Sequence, residues 1–576
     1  MNEYDVTDFL PVSKADMESR GWWWYDFLIV TGDAYVDHPS FGPTVIARVL
    51  EAEGFRVAIL AQPDWHDAEA FRAMGRPRLG VMICSGNLDS MVAHYTAAKK
   101  RRGEDFYSPG KKMGLRPDRA VIVYANRARE AFPDLPIVIG GLEASLRRFA
   151  HYDYWDDKVR RSALVDAGAD ILVYGMGETA CIEIARRLKK KQPISSMTDI
   201  RGTAVMVGDP SLCAYDSVTV PSIEDVSSSM SDYADATRVE YAEHDPIRGK
   251  AILQKQDKRW LLVNPPAMPL STKELDRVAE LPYTRQYHPM YESMGGVPGL
   301  EEVKFSVIHN RGCFGGCNFC TIAAHQGKFI QSRSEESILS EVRELARMPE
   351  FRGNISDLGA PTANMYGMRG RDASRCELCR RKSCLFPSPC SNMDRDHSRV
   401  LALYRKVDAV KGIRHSYIGS GVRYDLFLDE KGFVDASGTE YLRELMLKHT
   451  SGRLKVAPEH TEEKVLRYMA KPSFKLFERL RREFDKINRE SGTHVELVPY
   501  FISSHPGCTL QDMKNLASNP CLKGIWMEQV QDFMPTPMTT SSIMFCTGID
   551  PRNMQEVFVE KNPLRKKEQK SLFFKK

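Results

Sequence analysis

The sequence predicts an α/β protein in two successive parts, a doubly wound parallel sheet followed by a run of six strand–helix units. Two observations support this fold class. Short apolar segments of strand length alternate regularly with helical segments, which is typical of parallel α/β sheets. Glycine-rich turns follow several of the strands, at the edge where such sheets usually bind ligands. The length of 576 residues suits several domain-sized units.

The first part begins with an apolar strand at 26–30, which is followed by a loop rich in Gly, Asp and Pro. A helical segment at 44–53 then ends at Gly54, a residue suited to a helix C-terminus. Further strands are predicted at 57–60, 79–84, 137–139 and 171–174. We assign residues 1–192 to an N-terminal Rossmann-like α/β domain, whose strand-end turns are placed to line a ligand crevice.

The regular alternation weakens between residues 193 and 299. One strand is predicted at 260–264, and it stops at Pro265 because proline cannot continue a central strand. We interpret 193–299 as a connector that packs on both neighbouring domains.

The second part covers residues 300–548, and helices such as 474–490 separate most of its strands. Its strands are predicted at 303–308, 354–358, 414–418, 454–456, 495–501 and 524–529. The remaining residues, 549–576, form a basic tail that we expect to be disordered.

Three cysteines with the spacing C-x3-C-x2-C follow the first strand of the second part: Cys313, Cys317 and Cys320. Thiolates on short loops are the usual ligands of iron–sulfur clusters, and interspersed glycines let such a loop wrap closely around a bulky group. A closed zinc or cubane site has four ligands, so three thiolates leave one iron of a [4Fe–4S] cluster open. The sequence therefore predicts a cluster that binds an external ligand.

This loop, with Phe319 directly before its third cysteine, resembles the signature of the radical S-adenosylmethionine (SAM) superfamily. The resemblance implies that SAM binds the open iron through its amino and carboxylate groups. Reductive cleavage of SAM then gives a 5′-deoxyadenosyl radical that abstracts hydrogen from a substrate. It also implies a partial (β/α)6 barrel for the second part, an electron donor such as flavodoxin or ferredoxin, and packing of Phe319 near the adenine.

Further motifs are similar to those of the YgiQ-type radical SAM proteins; they lie at 37–42, 140–145, 313–328 and 360–367. This resemblance covers about residues 20–550 and implies that the N-terminal domain is cobalamin-binding-like. Asp37 and His38 are adjacent, however, so the Asp-x-His-x-x-Gly signature that ligates cobalt is absent. We therefore leave cobalamin out of the expected cofactors.

The ends of the predicted strands carry the expected contacts to SAM. By resemblance, Gly359 lies where related enzymes bind the methionine amino group, and Ser420 and Arg423 lie where polar or basic side chains bind the ribose or carboxylate. An arginine suits a carboxylate because it pairs in bidentate geometry. Pro506 resembles the turn that borders adenine. Ordinary turn chemistry is the alternative explanation for these residues, and no catalytic residue is assigned.

A second group of four cysteines lies in an insert at 370–396: Cys376, Cys379, Cys384 and Cys390. Four thiolates close a coordination shell, either around zinc or as a second iron–sulfur cluster, and of the two we favour the cluster. The insert has few apolar residues, so a metal would stabilise it. The other six cysteines are scattered, and we interpret them as core or free thiols.

Composition limits the partners and the location. A net charge of +5 is small for this length and does not require a nucleic-acid partner. No apolar run reaches the roughly 18–20 residues of a membrane span, and the N-terminus lacks a secretory signal pattern. Cysteine grouping at metal-like spacing favours a reducing compartment, so we expect a cytoplasmic protein without a membrane partner.

We therefore expect a radical SAM enzyme whose substrate is unknown. Residues 529–537 resemble the end of the barrel of RNA methylthiotransferases, which suggests the modification of an RNA or a protein, although no basic stripe with interleaved aromatic residues is apparent in the sequence. One alternative is a non-enzymatic iron–sulfur redox sensor or metal-stapled binding protein. Another is a nucleic-acid binder that acts through the insert and the basic tail.

Overall fold

The computed structural model describes residues 5–525, 527 and 529–574. The chain forms two compact units, one of residues 1–268 and 277–304 and one of residues 269–276 and 305–576. Each unit has its own hydrophobic core of buried side chains. Among the described residues, no helix is both long and apolar enough to cross a membrane.

The first unit is built on a nine-stranded sheet. In chain order its strands are β1 (Phe27–Thr31), β2 (Val57–Ala61), β3 (Gly80–Cys84), β4 (Ile137–Ile139), β5 (Ile171–Val173), β6 (Thr203–Val207), β7 (Ser217–Val220), β8 (Ala251–Gln256) and β9 (Arg259–Val263). Their order across the sheet is β7-β8-β9-β6-β5-β4-β3-β1-β2. Strands β1 to β5 pair in parallel, in the 2-1-3-4-5 order of flavodoxin-like folds. The predicted α/β class with a large, mostly parallel sheet is confirmed.

The sequence explains why these strands lie at the centre of the unit. All five residues of β1 are buried, as expected for a parallel strand covered by helices on both faces. The helix Gly42–Ala52 follows β1 and begins with a proline in its first turn, where no backbone N–H is needed. The other helices of this unit are Lys14–Ser19, Glu69–Arg72, Ser90–His94, Ala120–Ala131, Gly141–Leu146, Ala163–Asp166, Glu178–Lys189, Ile223–Ser228, Met230–Glu243 and Gly299–Val303.

The segment 193–299, which the sequence suggested to be a connector, adds four strands to this sheet. Strand β6 pairs antiparallel with β5 and with β9, and β8 and β9 form an antiparallel hairpin. Strand β7 exposes Ser217 and Thr219 at the sheet edge. The antiparallel pairing and the half-exposed edge strand β7 break the regular alternation of buried parallel strands with helices, which explains why the pattern appeared to fade.

The second unit contains parallel strands separated by helices. Its strands are β10 (Ser306–Ile308), β11 (Asn354–Ile355), β12 (Asp357–Gly359), β13 (His415–Ser416), β14 (Arg453–Glu459), β15 (Glu496–Ser503) and β16 (Gln529–Asp532). Three parallel ladders join them: β10 with β12, β11 with β13, and β14 with β15 and β16. Residues 526 and 528 of the sixth predicted strand lie outside the described residues.

Helices separate these strands as the sequence predicts for α/β units. They are Ile322–His325, Glu335–Leu345, Ala373–Leu378, Ser398–Asp408, Ala436–Lys448, Glu463–Met469, Phe474–Ser491, Leu510–Ala517, Thr540–Thr547 and Pro563–Ser571. Within each ladder the parallel pairing brings the carboxyl ends of the strands to one edge, where the predicted site residues lie.

The expectation of a disordered tail at 549–576 is wrong for most of its length. Residues 563–571 form a helix that is capped by the Asn562 side chain and begins with Pro563. Gln569 of this helix is fully buried, and its Oε1 accepts a hydrogen bond from Ser504 N at 2.9 Å. The Asn–Pro pair is a helix start signal that the prediction overlooked because the segment is so basic.

Candidate cofactor site

The three-cysteine loop begins directly after a short antiparallel pairing of Asn310–Arg311 with Gln331–Ser332. Gly312 has a φ of +87°, and a Cβ there would stand 2.3 Å from the Phe329 carbonyl oxygen. Only glycine meets both demands, because it lacks a side chain and adopts positive φ without strain. The loop is therefore held close to its own return segment, as the glycine pattern predicted.

Polar groups of the second unit surround the first two sulfurs of this loop. The Cys313 thiol is buried and lies 3.3 Å from Thr362 Oγ1, and the Gly315 N–H donates to its Sγ at 3.4 Å. Arg423 Nη1 donates to Cys317 Sγ at 3.3 Å. Hydrogen bonds of this kind orient metal ligands and stabilise thiolates. The third thiol, Cys320, is half-buried.

Burial favours the neutral form of these thiols. It raises the pKa of Cys320 to about 12 and also raises the pKa of Cys313, in both cases with a further contribution from Cys317. Without a bound metal, Cys313 and Cys320 are thus protonated at neutral pH, whereas a metal would deprotonate its thiol ligands.

The residue types of this loop are those that iron–sulfur clusters use, because three soft thiol donors stand on one short, glycine-shaped segment. Among the described residues, no group of three or more His, Cys, Asp and Glu side chains is arranged to hold a metal ion. Ligation of a cluster by Cys313, Cys317 and Cys320 stays a prediction.

Arg423 is the best-anchored cation near the loop. Its guanidinium pairs with both oxygens of Asp425, with Nε to Oδ1 at 3.0 Å, as well as with Cys317. Burial opposes its charge, but the Asp425 carboxylate and the neighbouring thiols keep the pKa of Arg423 well above its ordinary value. A Cβ on Gly315 would stand 2.2 Å from Arg423 Nη1, so the glycine makes room for this side chain. The structure thus places Arg423 against a predicted cluster ligand.

The other predicted SAM contacts form two small groups. Gly359 lies at the end of β12 beside Ser420, and a Cβ there would stand 2.2 Å from Ser420 Oγ. Asp357 lies beside them and accepts hydrogen bonds from the Ser420 backbone N–H and from its hydroxyl. Phe319 packs edge-on against His505 with ring centroids 6.2 Å apart, and Pro506 is the next residue in the chain. Each group combines a strand end with a neighbouring loop.

An ion pair that the sequence does not reveal lies at the end of β14. Glu459 has a φ of +70°, is buried, and lies 3.9 Å from Lys471 Nζ. Burial raises the pKa of Glu459, although Lys471 and Arg423 both oppose that change. A carboxylate at a strand end was a visible signal in the sequence, but its lysine partner was not.

The cysteine insert contacts the three-cysteine loop directly. The Cys384 N–H donates to the Phe314 carbonyl at 3.1 Å, and Ser383 Oγ donates to the Gly315 carbonyl oxygen at 2.6 Å. Leu385 and Met393 of the insert share a small apolar cluster with Cys313 and Phe314. The sequence placed these two cysteine groups in one unit, but it did not indicate that they touch.

The corresponding strand ends of the first unit are filled by the chain itself. Gly32 follows β1, and a Cβ there would stand 2.3 Å from the Ser85 carbonyl oxygen after β3. Arg116 is buried, donates to Ser85 O at 2.8 Å, and pairs with Asp33 at 3.0 Å and with Asp105 at 2.8 Å. Burial raises the pKa of Asp33 to about 6, against the effect of Arg116. Where a crevice was expected, a buried ionic network lies between β1 and β3.

A stack of aromatic and cationic side chains lies near the start of β1. The Arg56 guanidinium lies 5.5 Å from the Trp22 ring and 4.1 Å from the Trp24 ring, and Arg78 lies 3.5 Å from Trp24. Trp23 is 81% exposed. Its arginines come from separate segments of the chain, so this stack could not be recognised as a local sequence pattern.

Comparison with known proteins identifies relatives along the whole chain. A family model described as Radical SAM N-terminal matches residues 9–306, which is just over half of the chain. A UPF0313 protein of Clostridium botulinum is 47% identical over 565 residues, covering 98% of this chain and 86% of its own length. UPF0313 proteins of Methanocella arvoryzae and Bacteroides thetaiotaomicron are 48% and 47% identical and cover 96% and 100% of this chain, and 90% and 95% of their own lengths.

Among solved structures, the radical S-adenosylmethionine methyltransferase TsrM from Kitasatospora setae, with cobalamin and a [4Fe-4S] cluster bound, is similar at 16% identity and a TM-score of 0.49. The similarity covers 91% of this chain and 78% of that one. A likeness at that level assigns neither a cofactor nor a reaction to this chain.

Proposed function

The chain belongs to the UPF0313 family and carries the Radical SAM N-terminal region, and from this premise we propose that it is a radical SAM enzyme. In this proposal Cys313, Cys317 and Cys320 hold a [4Fe–4S] cluster whose fourth iron binds SAM. When bound, the cluster and SAM together supply a one-electron reductive cleavage and the abstraction of a hydrogen atom from a substrate.

The observation that carries this proposal is the set of groups around the loop. Three thiols and no fourth lie within the C-x3-C-x2-C motif, which leaves a coordination position for SAM. Arg423 donates a hydrogen bond to Cys317 and is fixed in turn by Asp425. A buried guanidinium beside the ligands stabilises their thiolate form and, through its hydrogen bond to sulfur, tunes the reduction potential of a cluster.

The strand ends supply the remaining parts of a SAM site. We assign Gly359 and Ser420, with Asp357 behind them, to the polar groups of methionine and ribose, since a residue with a side chain at 359 would collide with Ser420. We assign Phe319 and Pro506 to the adenine, because the Phe319 ring, with His505 at its edge, offers an aromatic surface.

The substrate is proposed on weaker grounds than the cofactors. Residues 529–537, which include β16, resemble the barrel end of RNA methylthiotransferases, and this supports the modification of an RNA or a protein. A cytoplasmic location follows from the same proposal, because reduced thiols and iron–sulfur clusters persist in a reducing compartment.

The test uses full-length protein reconstituted anaerobically with iron and sulfide, then mixed with dithionite and SAM. We expect 5′-deoxyadenosine from the wild type and from Cys521→Ala, whose half-exposed thiol lies outside both cysteine groups. We expect none from Cys317→Ala. A wild-type protein that binds about four irons in the three-cysteine loop but forms no 5′-deoxyadenosine, with or without cell extract as a substrate source, would contradict the proposal in favour of a redox or binding role.

A further inference from the structure

The four thiols of the insert have the surroundings of a metal–thiolate site. Asn392 Nδ2 donates to Cys376 Sγ at 3.3 Å, and the Arg381 N–H donates to Cys379 Sγ at 3.4 Å. A Cβ on Gly370 would stand 2.2 Å from Cys376 Sγ, so the backbone there approaches the sulfur as closely as only glycine permits. N–H donors aimed at sulfur are the outer-shell contacts that thiolate ligands require.

The insert does not have enough apolar contacts to fold by itself. Leu385 and Met393 are buried, but they are buried against Cys313, Phe314 and other residues outside the insert. Leu378, a further apolar residue of the insert, is 76% exposed. A segment with so little core of its own is ordered by cross-linking its four thiols through a metal centre.

A cluster suits these four thiols better than one zinc ion. The four thiols follow the spacing C-x2-C-x4-C-x5-C within 15 residues, whereas the two cysteine pairs of a zinc ribbon are separated by about 15–20 residues. The fold keeps the members of this group together, because the Cys379 N–H donates to the Cys376 carbonyl at 3.1 Å and the Cys390 N–H donates to the Cys384 carbonyl at 2.8 Å. Closely spaced thiolates on short loops are the usual ligands of iron–sulfur clusters.

The insert is also joined to the first thiol group through its backbone. Ser383 Oγ donates a hydrogen bond to the Gly315 carbonyl oxygen at 2.6 Å. A Cβ added to Gly316 would stand only 3.0 Å from the Cβ of Ser383, so the glycine permits this close approach. Cys384 therefore directly follows Ser383, which contacts the loop that carries Cys313 and Cys317. A centre held by the insert is thus adjacent to the centre proposed above.

The outer face of the insert is strongly basic. The stretch 369–382 has two carboxylates and six cationic side chains, namely Arg369, Arg371, Arg375, Arg380, Arg381 and Lys382. The net formal charge of this stretch is +4, whereas the whole chain of 576 residues carries only +5, so positive charge is concentrated in the insert. Arg369, Arg371, Arg375, Arg380 and Lys382 are exposed. Such a concentration of one sign attracts a partner of the opposite sign and speeds its association.

We propose that Cys376, Cys379, Cys384 and Cys390 hold a second iron–sulfur centre, and that the basic face of the insert receives an acidic one-electron carrier protein. The reduced carrier gives up one electron and is oxidised, the second centre takes that electron up, and the adjacent first cluster receives it and is reduced. This inference rests on the proposed function, because the cleavage of SAM consumes one electron per turnover.

The first experiment tests the metal centre. In reconstituted full-length protein we expect about eight irons per chain, falling to about four in Cys379→Ser, while Cys521→Ala retains all of them. About four irons in the wild type together with one zinc, and no loss of iron in Cys379→Ser, would overturn the proposal.

The second experiment tests the docking face, with reduced flavodoxin as the probe. The charge-reversal variant Arg375→Glu/Arg380→Glu is compared with Lys411→Glu/Lys431→Glu, which reverses two exposed lysines elsewhere in the same unit. We expect the rate constant for flavodoxin oxidation at low salt to fall on the order of tenfold in the insert variant only. The wild-type rate should also fall as salt rises, because exposed charges are screened.

Equal rates for the two charge variants would overturn the proposal. So would an insert variant that loses affinity for a single-stranded RNA oligonucleotide but keeps its flavodoxin rate, because the face would then serve RNA. Dithionite-driven 5′-deoxyadenosine reports on the first site alone. Its absence from the wild type contradicts the proposed function, whereas its presence with equal flavodoxin rates contradicts only the electron-entry role.

Discussion

At the ends of β1 and β3 the first unit places a buried ionic network, whereas at the end of β10 the second unit surrounds thiols that we propose hold a metal cluster. Between β1 and β3, Arg116 lies fully buried between Asp33 and Asp105. At the loop after β10, Arg423 lies between Asp425 and Cys317. In both places a buried arginine organises the strand ends, but only in the second is one of its partners a candidate metal ligand.

The difference has a physical consequence. A cation between two carboxylates has its charge compensated without any ligand, although its burial carries a desolvation penalty. Thiols whose pKa is raised by burial are neutral until a metal binds, so under our proposal the second arrangement is completed by a cofactor. Similar α/β strand ends thus serve stability in one unit and, as we propose, chemistry in the other.

The largest effect is expected from removing one predicted cluster ligand. Cys320→Ala should lose the cluster of the three-cysteine loop, about four irons per chain, because two thiolates cannot hold a cubane. Cys213→Ala, which removes a half-buried thiol of the first unit, should keep its full iron content. Iron and sulfide analysis after reconstitution checks this. An unchanged iron content in Cys320→Ala would contradict the proposal that the thiols of the second unit hold a cluster.

A large but different effect is expected at the first unit. Arg116→Ala leaves Asp33 and Asp105 buried without their cation, and breaking such a pair costs about 3–5 kcal/mol. Arg72→Ala removes a pairing with Glu69 at the surface and should change the unfolding free energy by less than about 1 kcal/mol. Denaturant unfolding measures both. If Arg116→Ala is as stable as Arg72→Ala, the ionic network between β1 and β3 does not stabilise the first unit.

The parallel strands of the first unit were predictable because each is a buried apolar run bounded by a turn, as β1 and β3 illustrate. The position of the three-cysteine loop after a strand was predictable for the same reason. Of the four strands that 193–299 adds, only β9 was predicted; β7 is an edge strand that exposes Ser217 and Thr219, and β6 and β8 lie outside the regular alternation of parallel strands and helices.

Contacts between distant segments could not be inferred from local patterns. Arg423 and Cys317 are 106 positions apart, and Ser383 and Gly315 are 68 apart. Periodicity and spacing describe a chain locally, so the partner of a buried charge or the neighbour of a cysteine loop becomes visible only in the folded structure.

A smaller effect is expected at the arginine of the second unit. Arg423→Lys keeps a positive charge but loses the planar fork that binds Asp425 and Cys317 together. Because partners of metal ligands typically contribute 10- to 100-fold, we expect 5′-deoxyadenosine formation to slow by about that factor with the iron content retained. Arg414→Lys, an exposed arginine of the same unit, is the control. A wild-type rate in Arg423→Lys would mean that Arg423 only packs.

The smallest effect concerns the pH dependence of the first unit. Glu240 is buried, and burial raises its pKa from 4.5 to about 8 against the influence of Arg148. A raised pKa in the folded state contributes stability that is present below about pH 4.5 and is lost as the pH rises through about 8.

Glu240→Gln should remove that loss and be more stable than the wild type above about pH 8, by at least about 1.4 kcal/mol, the equivalent of one pKa unit. Urea unfolding across the pH range measures the difference. Parallel pH profiles of the wild type and Glu240→Gln would show that Glu240 ionises as freely in the folded protein as in the unfolded chain.

The central claim is that three thiolates hold a cluster whose open iron binds SAM. Its most direct test is electron paramagnetic resonance of the dithionite-reduced Cys379→Ser protein, in which the insert no longer contributes a second centre, recorded with and without SAM. We predict a [4Fe–4S] signal whose g values change when SAM is added, because SAM becomes a ligand of one iron. A reduced cluster whose signal is identical with and without SAM would contradict the account.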